Sequence, residues 1–391
     1  MTLVYLLAGE ASGDLLGARL MAALRRHRPG IAFAGIGGER MQEQGLRSLF
    51  PMRELSLMGL LEVVPKLRGI VRRLDETEAD ILARRPAVLV TIDAPSFTLR
   101  VAARVRPRGI PVVHYVAPQV WAWRPGRVRK IAGRVDRILA LLPFEAPFFE
   151  AAGIPVRFVG HPVLESGADT GDATRFRAAQ GLGPADRPVL VMPGSRRGEV
   201  RRLLGVFGEA LRRTAAAVPG LRPVLPLAGP VEAAVREGVA DWPVRPILVR
   251  GAAEKHDAYA AVAGSGGAGL IKSGTSSLEM AVAGVPHLVA YRINPVTAAI
   301  VRRLIQVPHA SLVNLLAERE VVPELLQEAC TPEALADGLT ALLREPAQAA
   351  AQRAGFAEVL ARLRPPEGLP SEAAAAAVLE QIAAAEHPAS A

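Results

Sequence analysis

The chain has one cysteine, Cys330, in 391 residues. That excludes an internal disulfide and suits a reducing compartment. Aromatic residues make up only 4%, which speaks against binding single-stranded nucleic acid by base stacking, so nucleic acid is not an expected partner. Half of the residues are hydrophobic, yet no uninterrupted apolar run reaches the roughly 20 residues of a membrane span. The apolar run at residues 3–8 has no basic stretch before it and leads directly into Gly9-Glu10. It reads as a first strand rather than a signal peptide. G-x-G-x-x-G, a Walker A loop and an Asp-x-Asp pair are all missing, and no repeat of 20–50 residues is visible. Without an Asp-x-Asp pair to hold a metal against a diphosphate, helix ends and arginines must carry that charge. Metal-independent chemistry with no cofactor is therefore expected.

What is present begins with charge. Lys and Arg number 47 against 38 Asp and Glu, a formal net charge of +9. The excess favours anionic partners such as phosphorylated ligands or acidic lipid surfaces. The length allows two domains, each with a full core. Apolar strands are expected at residues 3–8, 31–36, 87–92, 111–116, 137–142 and 156–159. A second set is expected at 188–192, 223–227, 246–249, 268–271 and 286–290. Helical stretches lie between them, among them 15–26 and 199–217, with residues 9–14 read as a loop. Strands this apolar on both faces imply parallel sheets covered by helices. The expected fold is α/β, with two Rossmann-like doubly wound domains facing across a cleft. The expected division is 1–165, 166–345 and a set of C-terminal helices, 346–391, packing back on the fold. From residue 297 onward the chain reads as mostly helical, ending in an Ala-rich helix at 371–386.

Several junctions between strand and helix carry residues with chemical uses. Ser273-Gly274-Thr275-Ser276 follows an apolar run and opens a helix, where unpaired N–H groups favour a phosphate. Glu279, one turn further on, can accept from ribose hydroxyls, although a capped helix with no ligand has the same pattern. Pro193-Gly194-Ser195-Arg196 repeats the design, with backbone donors at Gly194 and Ser195 and a charge-assisted donor at Arg196. Gly9-Glu10-Ala11-Ser12-Gly13-Asp14 joins the first strand to the first helix, and Ser12 and Asp14 serve either as caps of that helix or as substrate contacts. Asp93 ends a strand, where a carboxylate facing the crevice can act as a general base; a turn Asp before Pro95 is the plainer use. A lone strand histidine such as His114 is more often a hydrogen-bonded core residue than a catalyst. Trp121-Ala122-Trp123-Arg124 suits either a sugar or acyl surface or packing at a domain seam. Leu60, Val63, Val64, Leu67, Val71 and Leu74 fall at helical spacing among Lys66, Arg68, Arg72 and Arg73. This pattern fits a helix packed on its own sheet or a segment lying on an anionic bilayer. Pro65 and Gly69 argue for a kinked or loop-like element there.

In their order and spacing these stretches resemble the lipid-A-disaccharide synthase family over most of the chain. Further matching motifs are Met58-Gly59 with Glu62-Val63, His114-Tyr115-Val116, Leu142-Pro143-Phe144-Glu145 and Phe158-Val159-Gly160-His161-Pro162. The last are Tyr291-Arg292, Asn314-Leu315-Leu316 and Pro323-Glu324-Leu325-Leu326-Gln327. The resemblance implies an inverting glycosyltransferase of the B type. Its donor would be UDP-2,3-diacylglucosamine and its acceptor 2,3-diacylglucosamine 1-phosphate, giving a β-1,6-linked disaccharide 1-phosphate and UDP. It implies Asp93 as base, Arg196 and Ser273 to Ser276 at the diphosphate, and Glu279 at the ribose. It also implies Glu10, Ser12, His114, Asn314 and Gln327 near donor or acceptor. The family often carries Asp where this chain has Ser96. The resemblance further implies a cytoplasmic protein, peripheral on the anionic inner face of a Gram-negative inner membrane, with residues 58–74 as the membrane or acyl surface. A homodimer through the Ala-rich tail stays open. Two other readings compete: an enzyme like UDP-N-acetylglucosamine 2-epimerase, and a non-catalytic lipid-binding protein of the membrane surface.

Overall fold

A computed structural model describes residues 2–56, 63–120, 128–294, 298 and 307–386, with residues 56 and 63–68 as backbone alone. The chain forms two compact units, Met1–Pro162 with Leu363–Ala391, and Val163–Arg362. Each holds a six-stranded, all-parallel sheet. The first contains β1 (Leu3–Ala8), β2 (Ala32–Ile36), β3 (Val88–Ile92), β4 (Val112–Tyr115), β5 (Arg137–Ala140) and β6 (Val156–Phe158) in the order β2-β1-β3-β4-β5-β6. The second contains β7 (Arg187–Met192), β8 (Leu221–Pro226), β9 (Ile247–Val249), β10 (Gly269–Lys272), β11 (His287–Tyr291) and β12 (Glu324–Leu326). Its order is β12-β11-β10-β7-β8-β9. Both are doubly wound Rossmann-like sheets. The winding reverses between β1 and β3 in the first unit and between β7 and β10 in the second, and each such switch point opens a crevice at the strand ends.

The strands are buried on both faces because helices cover both. In β1, Tyr5 and Leu7 belong to the core beneath the helix Pro95–Val105, with Leu89, Phe97, Val101 and Ile138. The alternate residues Val4 and Leu6 are equally buried on the opposite side. The Tyr5 hydroxyl donates to Asp80 Oδ2 at 2.8 Å, tying the helix Val63–Arg84 to the sheet. In the second unit Val189, Val191, Leu270 and Leu288 pack with Leu203, Phe207 and Leu211 of the helix Arg197–Ala217.

The structure departs from the sequence reading at five places. The first helix starts at Ala11, not after Asp14, so Gly13 lies inside it, 3.4 Å from Ile92 O by its would-be Cβ. β12 was not expected; it is three residues long and adds an edge to β11. The helix Val63–Arg84 runs unbroken through Gly69, and Pro65 sits in its first described turn, where a missing N–H is tolerated. Tertiary packing of Leu74 and Ile81 outweighs the cost of the glycine. The unit boundary falls after Pro162. The last helices do not move as one block: Pro346–Arg362 stays with the second unit, and Pro370–Glu386 packs on Ala11–His27 in the first. Glu372 anchors that return, accepting from Arg26 Nε at 2.8 Å and meeting His27 Nε2 at 2.7 Å. Where the two passes of chain cross, His161 N donates to Leu363 O at 3.0 Å. Gly160 has φ +78° there, and a Cβ would stand 2.6 Å from Pro365 Cδ, so only glycine fits.

Candidate active site

The second unit holds a cavity of about 470 Å³ at the ends of β7 and β10. Both phosphate-loop candidates line it: Gly194 and Ser195 after β7, and Ser273, Gly274, Thr275 and Ser276 after β10. Gly194 is required twice over. Its φ is +115°, and a Cβ would stand 2.4 Å from Glu199 Oε2. That carboxylate accepts from Arg196 N at 3.3 Å, capping the long helix Arg197–Ala217. The Arg196 side chain is 81% exposed and only loosely held, 3.4 Å from Glu199 Oε1, so its guanidinium is free to take an oxyanion. Ser273 Oγ already donates to Ala310 O at 2.8 Å. Its backbone N–H also donates, to Ala290 O at 3.1 Å, so neither donor of Ser273 is free for a phosphate in this state.

Glu279 is built into a cluster the sequence reading left out. Its Oε2 accepts from the Tyr259 hydroxyl at 3.0 Å and from Lys255 Nζ at 3.1 Å, and Lys255 lies 5.5 Å from the Tyr259 ring centre. Burial, then the Glu279 charge, push the Tyr259 phenol upward, so it stays a donor at any working pH. This fixes a carboxylate inside the cavity with lone pairs left for hydroxyl groups. Lys255, Tyr259, Glu199 and Lys272 were not singled out from the sequence. Only Lys272, abutting the serine-rich turn at the end of an apolar run, offered a signal.

The first unit carries backbone strain at its own switch point. Asp93 and Ala94, directly after β3, have φ +49° and +44°, and Val116, after the neighbouring β4, has φ +79°. Each non-glycine residue in this region costs on the order of 1–3 kcal/mol, most for a β-branched one. Gly9, after β1, makes room for the bend: a Cβ there would stand 2.5 Å from Ala94 Cβ. Thr98 Oγ1 donates to Asp93 O at 2.7 Å and holds the turn. The Asp93 carboxylate is half-buried and has no hydrogen-bond partner among the described residues. Glu10 and Ser12 are exposed beside it, across the same strand ends.

Other expected site residues have different employment. Asp14 caps not its own helix but the next. It is buried and accepts from Gly38 N at 2.7 Å, Arg40 N at 3.0 Å and Met41 N at 3.1 Å. His114 is fully buried, with Nδ1 2.7 Å from Thr91 Oγ1 and Nε2 unpartnered among the described residues. Desolvation lowers its pKa to about 4, which makes it a neutral core residue rather than a substrate contact. Asn314 is also fully buried, and its amide is saturated by its own chain. Nδ2 donates to Val322 O and Glu324 Oε1, both at 2.8 Å, and Oδ1 accepts from Val321 N at 2.8 Å and Val322 N at 3.0 Å. It therefore shapes the approach to β12 and cannot also contact the donor. Gln327, at φ +50°, accepts from Ile293 N at 3.3 Å. In the basic stretch, Leu60 lies outside the described residues, as do the side chains of Val63, Val64 and Leu67. Residues 57–62 and the tryptophans at 121 and 123 also lie outside them. Val71 is 48% exposed, but Leu74 is core and Arg73 is engaged by Glu54 under the Phe50 ring. Part of the apolar stripe thus packs on its own sheet. Among the described residues no helix is long and apolar enough to cross a membrane.

Two Rossmann-like domains, with a cavity lined by two glycine-containing loops at the switch point of the second, define the B-type glycosyltransferase architecture. A solved UDP-GlcNAc 2-epimerase from Neisseria meningitidis, bound to UDP-GlcNAc, shares that architecture. Its TM-score is 0.63 over 98% of this chain and 100% of that chain, at 14% identity, a likeness of fold alone. A family model described as lipid-A-disaccharide synthetase matches residues 4–378. A lipid-A-disaccharide synthase of Granulibacter bethesdensis is 51% identical, covering 97% of this chain and 98% of the relative. One from Gluconobacter oxydans is 52% identical, covering 97% and 90%. The chain belongs to the lipid-A-disaccharide synthase family of glycosyltransferases.

Proposed function

We propose that this enzyme moves 2,3-diacylglucosamine from its UDP derivative to the 6-hydroxyl of 2,3-diacylglucosamine 1-phosphate, inverting the anomeric centre. The observation that carries the donor half is the cavity at the β7–β10 switch point, where two glycine-containing loops and the fixed Glu279 carboxylate converge, with the exposed Arg196 directly after the first loop. In this reading UDP lies with its diphosphate against residues 194–196 and 274–276 and its ribose hydroxyls on Glu279, while both donors of Ser273 stay engaged within the chain. Asp93, held in a strained turn with its carboxylate free, takes the proton from the attacking hydroxyl. The acceptor oxygen bonds to C1 as the bond from C1 to the phosphate oxygen breaks, and the electron pair leaves with UDP. The developing charge meets Arg196 and backbone donors, so no metal is required by the geometry. Substrates with acyl chains suit a protein that works at an anionic membrane surface. The half-exposed Val71 beside Arg72 supports residues 58–72 as the contact, and Leu74 and Arg73 are excluded from it.

The deciding experiment incubates the purified protein with UDP-2,3-diacylglucosamine and the acylated 1-phosphate in detergent micelles. UDP release that depends on the acceptor, with a disaccharide detected by mass spectrometry, is the expected result. UDP bound but never released in the presence of acceptor refutes the acceptor assignment. Conversion of UDP-N-acetylglucosamine to its C2 epimer, with no acceptor present, would favour the epimerase reading.

A further inference from the structure

The cavity contains a cation that neither loop motif includes. Lys272 ends β10, immediately before Ser273. Its Nζ lies 3.1 Å from Glu199 Oε1 and 5.2 Å from the centre of the Tyr291 ring. It is also 3.7 Å from the place a Cβ on Gly274 would occupy. Glu199 in turn grips the other loop, through Arg196 N at 3.3 Å and its close approach to Gly194. One ammonium therefore lies against both loops of the switch point. Its side chain is 17% exposed and that of Glu199 11%, so the charge works at a lower effective dielectric than a surface lysine would. The helix after Ser273-Gly274-Thr275 spans only Ser276–Val282, too short to supply much dipole. Arg196, at 81% exposure, must come in from solvent, whereas Lys272 is already in place.

We propose that Lys272 is the preset cation of the diphosphate subsite and that Glu199 is a positioning residue holding it there while the site is empty. The assignment rests on the UDP-sugar reading of this cavity and adds to it the group that meets the leaving diphosphate first. As the C1–oxygen bond of the donor breaks, the electron pair remains on the phosphate oxygen, and the ammonium stabilises that charge without giving up a proton. Glu199 sets the geometry; on ligand binding, the phosphate oxygens take over as the partner of Nζ.

The test compares full-length wild type, K272M, K272R and the double variant K272M/E199Q by titration calorimetry with UDP, UMP and uridine, using competition for uridine. K272M is expected to lose about 10- to 100-fold in UDP affinity, the range of one charge-assisted hydrogen bond. The loss should be smaller for UMP and absent for uridine, and K272R should recover most of it. The double variant leaves no stranded carboxylate and should show the same graded loss, which separates ligand binding from damage to the fold. With donor saturating, kcat of K272M should also fall. Unchanged UDP affinity in K272M, or an equal loss for all three ligands in the double variant, overturns the role of Lys272 and leaves the UDP reading standing. Failure of the folded wild type to bind UDP overturns both.

Discussion

Asn314→Ala separates a structural residue from a ligand contact. Asn314 makes four hydrogen bonds in a fully buried setting, two donated and two accepted. Truncation strands the N–H groups of Val321 and Val322 and the carbonyl of Val322, and removes one of the two bonds to Glu324 Oε1. At roughly 1 kcal/mol net per bond the loss is about 4 kcal/mol. Glu324 also accepts from Ala310 N at 2.8 Å and Ser311 N at 2.9 Å, so the disturbance reaches the segment on which Ser273 Oγ rests. For a unit of this size that energy lowers Tm by about 10 °C. Asn314→Asp keeps the two accepted bonds but sets a second carboxylate against Glu324. It should cost at least as much at neutral pH and less in acid, where one carboxyl takes a proton. Differential scanning calorimetry gives the stability, and UDP titration at 15 °C, where the variant is folded, gives the affinity. The expected result is a large stability loss with UDP affinity changed less than about threefold. A variant as stable as wild type that has lost UDP binding would refute the reasoning and return Asn314 to the donor site.

Asp93→Asn should leave UDP affinity nearly intact and lower kcat by about 10²- to 10⁴-fold; equal turnover in an acceptor-saturated assay removes Asp93 as base. Stability should be flat above pH 6.5 and fall as pH drops toward 4, because His114, His161 and His287 are held neutral by burial with pKa values lowered to about 4. The unfolded chain binds a proton at each below about 6.5, at up to about 1.4 kcal/mol per pH unit per histidine. A urea-melt series on His114→Gln should show a shallower acid slope, and an unchanged slope counts against the assignment. EDTA should leave disaccharide formation unchanged; loss restored by added divalent cation would put a metal in the mechanism. Replacing Val64, Leu67 and Val71 with Ser should reduce partitioning to anionic vesicles, and unchanged partitioning would return the whole stretch to the core.

The strands were legible because a parallel sheet buried on both faces writes them as apolar runs, and eleven of them could be read as such. β12 could not, since Glu324-Leu325-Leu326 is too short to show a period and is a strand only because β11 offers an edge. The phosphate loops were legible as strand–glycine–hydroxyl junctions. The pairing of the site's charges was not: Glu199 reads as an ordinary helix residue, Lys272 offers only its place before the serine-rich turn, and the two become a pair only when β7 and β10 lie side by side. Asp14 shows the same limit in reverse. Directly before a helix expected at 15–26 it suggests a local cap, yet its carboxylate serves backbone amides at residues 38–41, which only tertiary structure brings near. The strain at Asp93, Ala94 and Val116 leaves no mark at all in side-chain chemistry.

The crossing at Gly160 and Leu363 makes the second unit an insertion within the first. On the ribosome, residues 163–362 emerge whole and can close their core before the first unit has all its parts. The first unit must wait, its sheet bare where the helix Pro370–Glu386 will lie, until that helix has emerged. The cavity at the ends of β7 and β10 is thus ready before the unit that holds Asp93 is complete. A chain cut short at residue 362 would carry a finished second unit attached to an unfinished first one.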